Sequence, residues 1–181
     1  MIFSMKKPLI ILFLFSLFSL FSFSDEVTED KLDKDGLSEN YYENGQLESR
    51  VNYKDGKPEG IQEGFYDNGQ LRARGSTKEG KQDGLWEVFY VNGKLQVRGD
   101  YKDGKLDGLS ESYYENGQLH IRWNTKDGKQ DGFFESYYEN GQLEIRGNIK
   151  DGKPDGLIEY FDEEGNQLKT EEYRDGVFTA E

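Results

Sequence analysis

The sequence has no cysteine, a single histidine, three prolines and two tryptophans among 181 residues. Without cysteine there is neither a disulfide nor a thiolate, so stability has to come from turns, cross-strand pairs and aromatic burial. The lone His120 leaves little room for a histidine metal site or a catalytic triad. Basic charge is also in deficit. The acidic residues all follow Ser24, and Lys6 and Lys7 precede it. The chain beyond Ser24 therefore holds 21 basic against 36 acidic residues, a net charge of −15. Such a charge repels phosphate backbones and anionic lipid heads, so nucleic acid and anionic lipid are disfavoured as partners.

The first 24 residues differ from the rest. Lys6 and Lys7 form a short basic region, and Leu9 to Phe23 is an apolar run broken only by serines. Ser22 and Ser24 put small residues at the −3 and −1 positions of a cleavage site, and acidic residues begin at Asp25. This pattern predicts a secretory signal peptide over residues 1–24 and an exported chain, whether periplasmic, cell-surface or secreted. The run falls short of the ~20 residues that a spanning helix prefers. No cysteine follows it, which excludes a lipoprotein anchor. Residues 25–34 are acidic and poor in apolar side chains, and are expected to be a disordered leader.

What is abundant is repetition. Asn44-Gly45, Asn68-Gly69, Asn92-Gly93, Asn116-Gly117 and Asn140-Gly141 recur every 24 residues. A second turn signal, Lys-Asp-Gly or a variant of it, keeps the same period from Lys54 to Arg174. Six units are expected, over 35–58, 59–82, 83–106, 107–130, 131–154 and 155–178, with a tail at 179–181. A strict period of this length means a stacked array.

Each unit reads as one β-hairpin. Asn-Gly between two strand-like runs signals a two-residue loop whose central residues both take positive φ. Asp-Gly then turns the chain into the next hairpin. The expected fold is all-β, an elongated single-layer antiparallel meander of about twelve strands, roughly 55 Å long at ~4.8 Å per strand. In this register Tyr90 faces Leu95, Val88 faces Val97 and Trp86 faces Gly99, with large residues opposite small ones on one apolar face. With no second sheet to cover that face, many aromatics are expected to stay half exposed, and a homodimer would cover them.

The other face carries a second pattern. The register sets Glu39 opposite Arg50, Glu63 opposite Arg74, Glu87 opposite Arg98, Glu111 opposite Arg122 and Glu135 opposite Arg146. Beside them sit Tyr41, Phe65, Phe89, Tyr113 and Tyr137, together with the apolar residues Leu37, Ile61, Leu85, Leu109 and Phe133. This strip is the candidate interaction surface. It also has a structural role, because a one-residue slip would put Glu and Arg on opposite faces. The sixth unit departs from the pattern: a longer turn is expected at Asp162–Asn166, and Thr170 replaces the arginine. It reads as a cap.

The unit Asp-Gly-Leu-Trp-Glu-Val-Phe-Tyr-Val-Asn-Gly-Lys-Leu (83–95), followed by Tyr-Lys-Asp-Gly-Lys (101–105), resembles the bacterial MORN-repeat variant, which also occurs in YwqK-type antitoxin proteins. The core Tyr-Tyr-Glu-Asn-Gly-Gln-Leu stands at 41–47, 113–119 and 137–143, and Phe-Tyr-Asp-Asn-Gly-Gln-Leu at 65–71. The resemblance implies an elongated, curved sheet with no catalytic centre. It also implies scaffolding by binding a protein partner at the envelope, on a host surface or in a toxin.

No cofactor and no metal are expected. Asp33-Lys34-Asp35-Gly36 is faintly like a calcium loop, but Tyr42 stands where the bidentate Glu would be. His120 falls in a slot filled elsewhere by Glu48, Arg72, Gln96 and Glu144, and is expected to be solvated. The first functional expectation is therefore a non-enzymatic, exported protein-binding or adhesion scaffold. The alternative is an antitoxin or immunity protein. A cell-wall ligand module ranks below both, because Trp86 and Trp123 occupy different repeat positions.

Overall fold

The computed structural model describes residues 35–180, so the expected signal peptide and leader lie outside the described residues. Every regular element among the described residues is a strand. They run β1 Gly36–Tyr41, β2 Leu47–Lys54, β3 Lys57–Phe65, β4 Leu71–Lys78, β5 Lys81–Gln82, β6 Gly84–Phe89, β7 Leu95–Lys102, β8 Lys105–Tyr113, β9 Leu119–Lys126, β10 Lys129–Tyr137, β11 Leu143–Lys150, β12 Lys153–Pro154, β13 Gly156–Phe161, β14 Gln167–Arg174 and β15 Val177–Ala180. All pairings join neighbours in one open antiparallel sheet, with the short β5 and β12 pairing off the main path with β4 and β11. The all-β meander of hairpins is thus as expected. Residues 179 and 180 of the expected tail belong to a final strand, Val177–Ala180, that pairs with β14.

The strand bodies hold the expected register: Val88 pairs with Val97, Trp86 with Gly99 and Glu87 with Arg98. The turns do not follow expectation, and the two kinds have exchanged roles. At the Asp-Gly turns Lys54 pairs directly with Lys57, and both Asp55 (φ 51°) and Gly56 (φ 69°) are left-handed. That is the two-residue loop whose backbone twist suits a hairpin. At the Asn-Gly turns only the glycine has positive φ. Gly45 N–H donates to the Tyr42 carbonyl at 2.9 Å and Tyr42 N–H to the Gln46 carbonyl at 2.9 Å, a type I turn followed by a left-handed glycine. Asn44 Oδ1 accepts from Gln46 N–H at 2.9 Å and holds this shape.

The longer loop shifts the register by one residue, and a bulge beside each turn restores it. Phe89, not Tyr90, is therefore the residue opposite Leu95. The sixth turn is not longer than the others. Asp162 N–H to the Asn166 carbonyl and Gly165 N–H to the Asp162 carbonyl reproduce the same loop, with Asp162 in the place of the loop tyrosine.

One face is closed. Val51, Ala73, Trp86, Val88, Val97, Trp123, Phe134 and Ile158 are all buried. The expected half exposure of the large aromatics fails for Trp86, Trp123 and Phe134. The cause is a second irregularity between hairpins. One residue lies between the pairs Val51–Gln62 and Tyr53–Pro58 on β2, against three on β3, and Gly60 inside that stretch is left-handed. The turn-side arms bring Tyr101 and Leu106 into the core, and the Tyr101 ring meets Trp86 edge-on at 6.4 Å. Trp86 also lies on Gly75, where an added Cβ would come within 2.1 Å of its ring. Its indole N–H reaches the Ser76 carbonyl at 2.9 Å.

Neighbouring repeats are stitched by side chains. The loop tyrosines Tyr42, Tyr66, Tyr90, Tyr114 and Tyr138 each donate to a carbonyl 23 residues on, at 2.6–2.9 Å. Asn44, Asn116 and Asn140 do the same through Nδ2, to Asp67, Glu139 and Glu163.

Candidate interaction face

The opposite face of the sheet carries the sequence-predicted strip, arranged as three rows across the strands. The middle row alternates in charge: Glu39, Arg50, Glu63, Arg74, Glu87, Arg98, Glu111, Arg122, Glu135, Arg146 and Glu159 are successive cross-strand partners. The expected pairs within each hairpin are backbone neighbours, but the ion pairs run mostly the other way. Arg74 Nε donates to Glu87 at 2.7 Å, Arg98 Nε to Glu111 at 2.6 Å, Arg122 Nε to Glu135 at 2.6 Å and Arg146 Nε to Glu159 at 2.5 Å. Each arginine thus binds the glutamate of the following hairpin. Glu159 belongs to this row, although the five expected pairs left it out.

The second row holds the aromatics. Tyr41 pairs with Leu47, Phe65 with Leu71, Phe89 with Leu95, Tyr113 with Leu119 and Tyr137 with Leu143. Tyr41, Tyr113 and Tyr137 turn their hydroxyls onto Glu39, Glu111 and Glu135 at 2.7–2.9 Å. Arg74 lies 5.9 Å from the Phe89 ring centre and Arg146 lies 5.5 Å from that of Phe161, in cation–π range. The Tyr41 hydroxyl and the Arg50 guanidinium hold the Glu39 carboxyl below its ordinary value. Arg146 does the same to Glu159. Burial, then the bond to Glu111, pushes the Tyr113 phenol up.

The third row is Leu37, Ile61, Leu85, Leu109, Phe133 and Leu157, between 37% and 70% exposed. It stands opposite Asn52, Ser76, Asp100, Asn124, Asn148 and Glu172.

Two other places drew attention in the sequence. His120 is not in a solvated slot. It occupies the bulge beside the Asn-Gly turn, and its ring lies 4.3 Å from that of Tyr114. Burial pushes its imidazole below the ordinary value, partly opposed by Glu144 and Glu139. At the equivalent position Glu144 accepts from Ser136 Oγ at 3.2 Å, so the bulge turns this side chain toward the closed face. The Asp-Gly edge carries facing lysines, with Asp35, Glu59, Asp107, Asp131 and Asp155 accepting from turn N–H groups. A concavity of about 320 Å³ between the first two of these turns is lined by charged side chains only: Lys54, Asp55, Lys57, Glu59, Lys78 and Glu79.

The sequence matches the MORN repeat variant family over residues 34–55, 58–79, 82–103, 106–127 and 130–151, together more than half of the chain. The chain belongs to the MORN repeat variant family. Each matched stretch spans one MORN hairpin up to its Asp-Gly or Glu-Gly turn. The sixth hairpin, β13–β14, lies beyond the matched stretches. It is also where Thr170 stands in place of the arginine and Asp162 in place of the tyrosine. No curated protein matches the chain. Among solved structures it is similar to TarM, at 16% identity and a TM-score of 0.33, over 55% of this chain and 22% of that one. It is also similar to a mutant of S. aureus TarM in complex with Fondaparinux, alpha-GlcNAc-glycerol and UDP. There the identity is 15% and the TM-score 0.35, over 57% of this chain and 22% of that one. The chain thus spans about a fifth of the length of those proteins, and the likeness carries no argument about function.

Proposed function

We propose that this MORN-variant chain is a non-enzymatic, exported scaffold that binds another protein through the open face of its sheet. The observation that carries the reading is the exposed apolar row on that face. Ile61 is 70% exposed while Trp86, on the other side of the same sheet, is 3% exposed. Large apolar side chains held in solvent, here one per hairpin and alternating with polar residues such as Asn52, Ser76 and Asp100, offer contact points for a partner. The row repeats with the hairpin, so a partner engaging several repeats gains by multivalency. The non-enzymatic reading rests on the same repetition, since the chain offers six near-equivalent positions where an active site needs one that is special. Export rests on the basic–apolar–small pattern of residues 1–24.

The test is capture of partners from envelope and culture-medium fractions on the chain from Asp25 onward, with a repeat-scrambled chain as control. The companion bait carries Ile61→Asp, Leu85→Asp and Leu109→Asp. Envelope or host-surface proteins held by the first bait and lost by the second would support the reading. Equal capture by both baits would end it. One stoichiometric toxin-like protein would move the assignment to a YwqK-type antitoxin or immunity protein acting through the same face. Recovery of wall polymer would favour a cell-wall ligand module.

A further inference from the structure

The five Asn-Gly turns share a latent chemistry that the fold restrains unevenly. In an Asn-Gly pair the glycine main-chain nitrogen attacks the asparagine Cγ, ammonia leaves, and a five-membered succinimide ring remains. Water then opens the ring at one carbonyl or the other, giving aspartate or isoaspartate. The sum is asparagine plus water going to a carboxylate plus ammonium, with no oxidant and no enzyme. Glycine favours the attack because it has no side chain to hinder the approach. Each turn guards the reaction in the same two ways. The glycine N–H, the nucleophile, donates to the carbonyl of the loop tyrosine at 2.8–2.9 Å in all five. The asparagine Oδ1 accepts from the N–H two residues on, at 2.8–3.0 Å. Ring closure therefore needs the turn to open locally, and these shared bonds set a common level of protection.

Neighbouring repeats add locks that the turns do not share. Asn44, Asn116 and Asn140 hold Nδ2, the leaving nitrogen, on the carbonyls of Asp67, Glu139 and Glu163 at 2.8–3.1 Å. Asn68 and Asn92 make no such bond among the described residues, and each is held only through Oδ1 within its own turn. The preceding repeat also covers the glycines. A Cβ added to Gly69 would lie 3.0 Å from Gln46 Oε1, and one on Gly141 would lie 2.7 Å from Gln118 Oε1. On Gly93 it would lie 3.9 Å from Gln70 Oε1. The Asn92 turn thus lacks the Nδ2 bond and has the looser cover. It departs in sequence as well. Val91 stands where Glu43, Asp67, Glu115 and Glu139 stand elsewhere, and Lys94 stands where the others have glutamine. Lys94 Nζ donates to the Asn116 carbonyl at 2.9 Å, which steadies the following turn and not its own.

We propose that Asn92 is a site of spontaneous deamidation, the most labile of the five Asn-Gly pairs, with Asn68 next. The product sets a new carboxylate in the loop between β6 and β7. As isoaspartate it also lengthens the main chain of that loop by one carbon, which breaks the geometry of the Oδ1 bond to Lys94 N–H. The modification falls inside the array, so one chemical event changes the seam between two repeats. The proposal rests on the turns and does not depend on the open face described above.

The test is incubation of the full chain in mildly alkaline buffer, folded and in denaturant, followed by peptide mapping with mass spectrometry. The ratio of the denatured to the folded rate at each asparagine gives its protection and cancels the effect of sequence neighbours such as Val91. Asn92 should be protected about fivefold less than Asn116 and Asn140, the factor that one hydrogen bond supplies. Isoaspartate should outweigh aspartate among the products, the signature of the succinimide. Gln118→Ala, which uncovers Gly141, should lower the protection of Asn140 and leave that of Asn92 unchanged, with an unchanged β spectrum. Equal protection at all five pairs, or Asn116 or Asn140 as the fastest, would overturn the proposal. Aspartate as the sole product would do so too, because it would replace ring closure by direct hydrolysis. Unchanged protection of Asn140 in the variant would remove the role given to the neighbouring repeat.

Discussion

The two faces of this sheet are made by the same strands and do opposite things. On the closed face Trp86 lies against Gly75 and meets the Tyr101 ring edge-on. On the open face Ile61 and Leu157 meet solvent, and the order lies in a row of charges. Alternate residues of one strand thus serve packing and contact separately. The lesson is that a single layer can bury one of its faces, with Tyr101 and Leu106 from beside the Asp-Gly turns in the core, which leaves the other face free to vary.

That contrast can be broken first at Trp86. Trp86→Ala should cost about 3–5 kcal/mol, the range for a buried large aromatic, and chemical denaturation measures it. Gly75→Ala approaches the same ring from the other side and should cost about 1–3 kcal/mol by overpacking. A Tm equal to the parent would show that Trp86 has room to move. On the open face Arg98→Ala should cost roughly 1 kcal/mol. Its partner Glu111 is the most enclosed glutamate of the ion-pair row, with 8% side-chain exposure. A loss as large as that of Trp86→Ala would refute the division of labour between the faces.

The smallest effect concerns His120. Its folded value lies below the ordinary 6.5, so between those two values the unfolded chain binds the proton more readily. Stability from this group is therefore full above 6.5 and is lost as pH falls through the folded value. His120→Gln, which copies Gln96 at the equivalent position, should flatten the fall of Tm as pH drops below 6.5. An unchanged slope would assign that dependence elsewhere.

Period and patterning made much of this legible. The 24-residue spacing yields hairpins, and the period-2 alternation yields the Val88–Val97, Trp86–Gly99 and Glu87–Arg98 pairs. What stayed hidden depends on side-chain direction. Arg74 has Glu63 on one side and Glu87 on the other as cross-strand partners, and strand alternation cannot say which it binds. The exchange of turn types was hidden for a related reason. Asn44 bonds both its own turn and the Asp67 carbonyl, a contact that exists only once repeats stack. The second tyrosine of each Tyr-Tyr pair carried a signal that could have been used. A residue kept at one phase of the repeat, in a turn, has a partner in the next copy, as Tyr42 has at Phe65. The bulge that turns His120 inward has no sequence mark beyond the loop that requires it.

The bonds from each loop tyrosine to a carbonyl 23 residues on have a kinetic consequence. The strand pairs close over still shorter spans, such as Gly36 with Tyr53. The entropy of closing a loop is therefore the same small cost at every step, whatever the length of the chain. The sheet can zip from any nucleus outward, one hairpin on the last. A gene that gains or loses one 24-residue unit would change the reach of the molecule and leave its folding speed almost untouched.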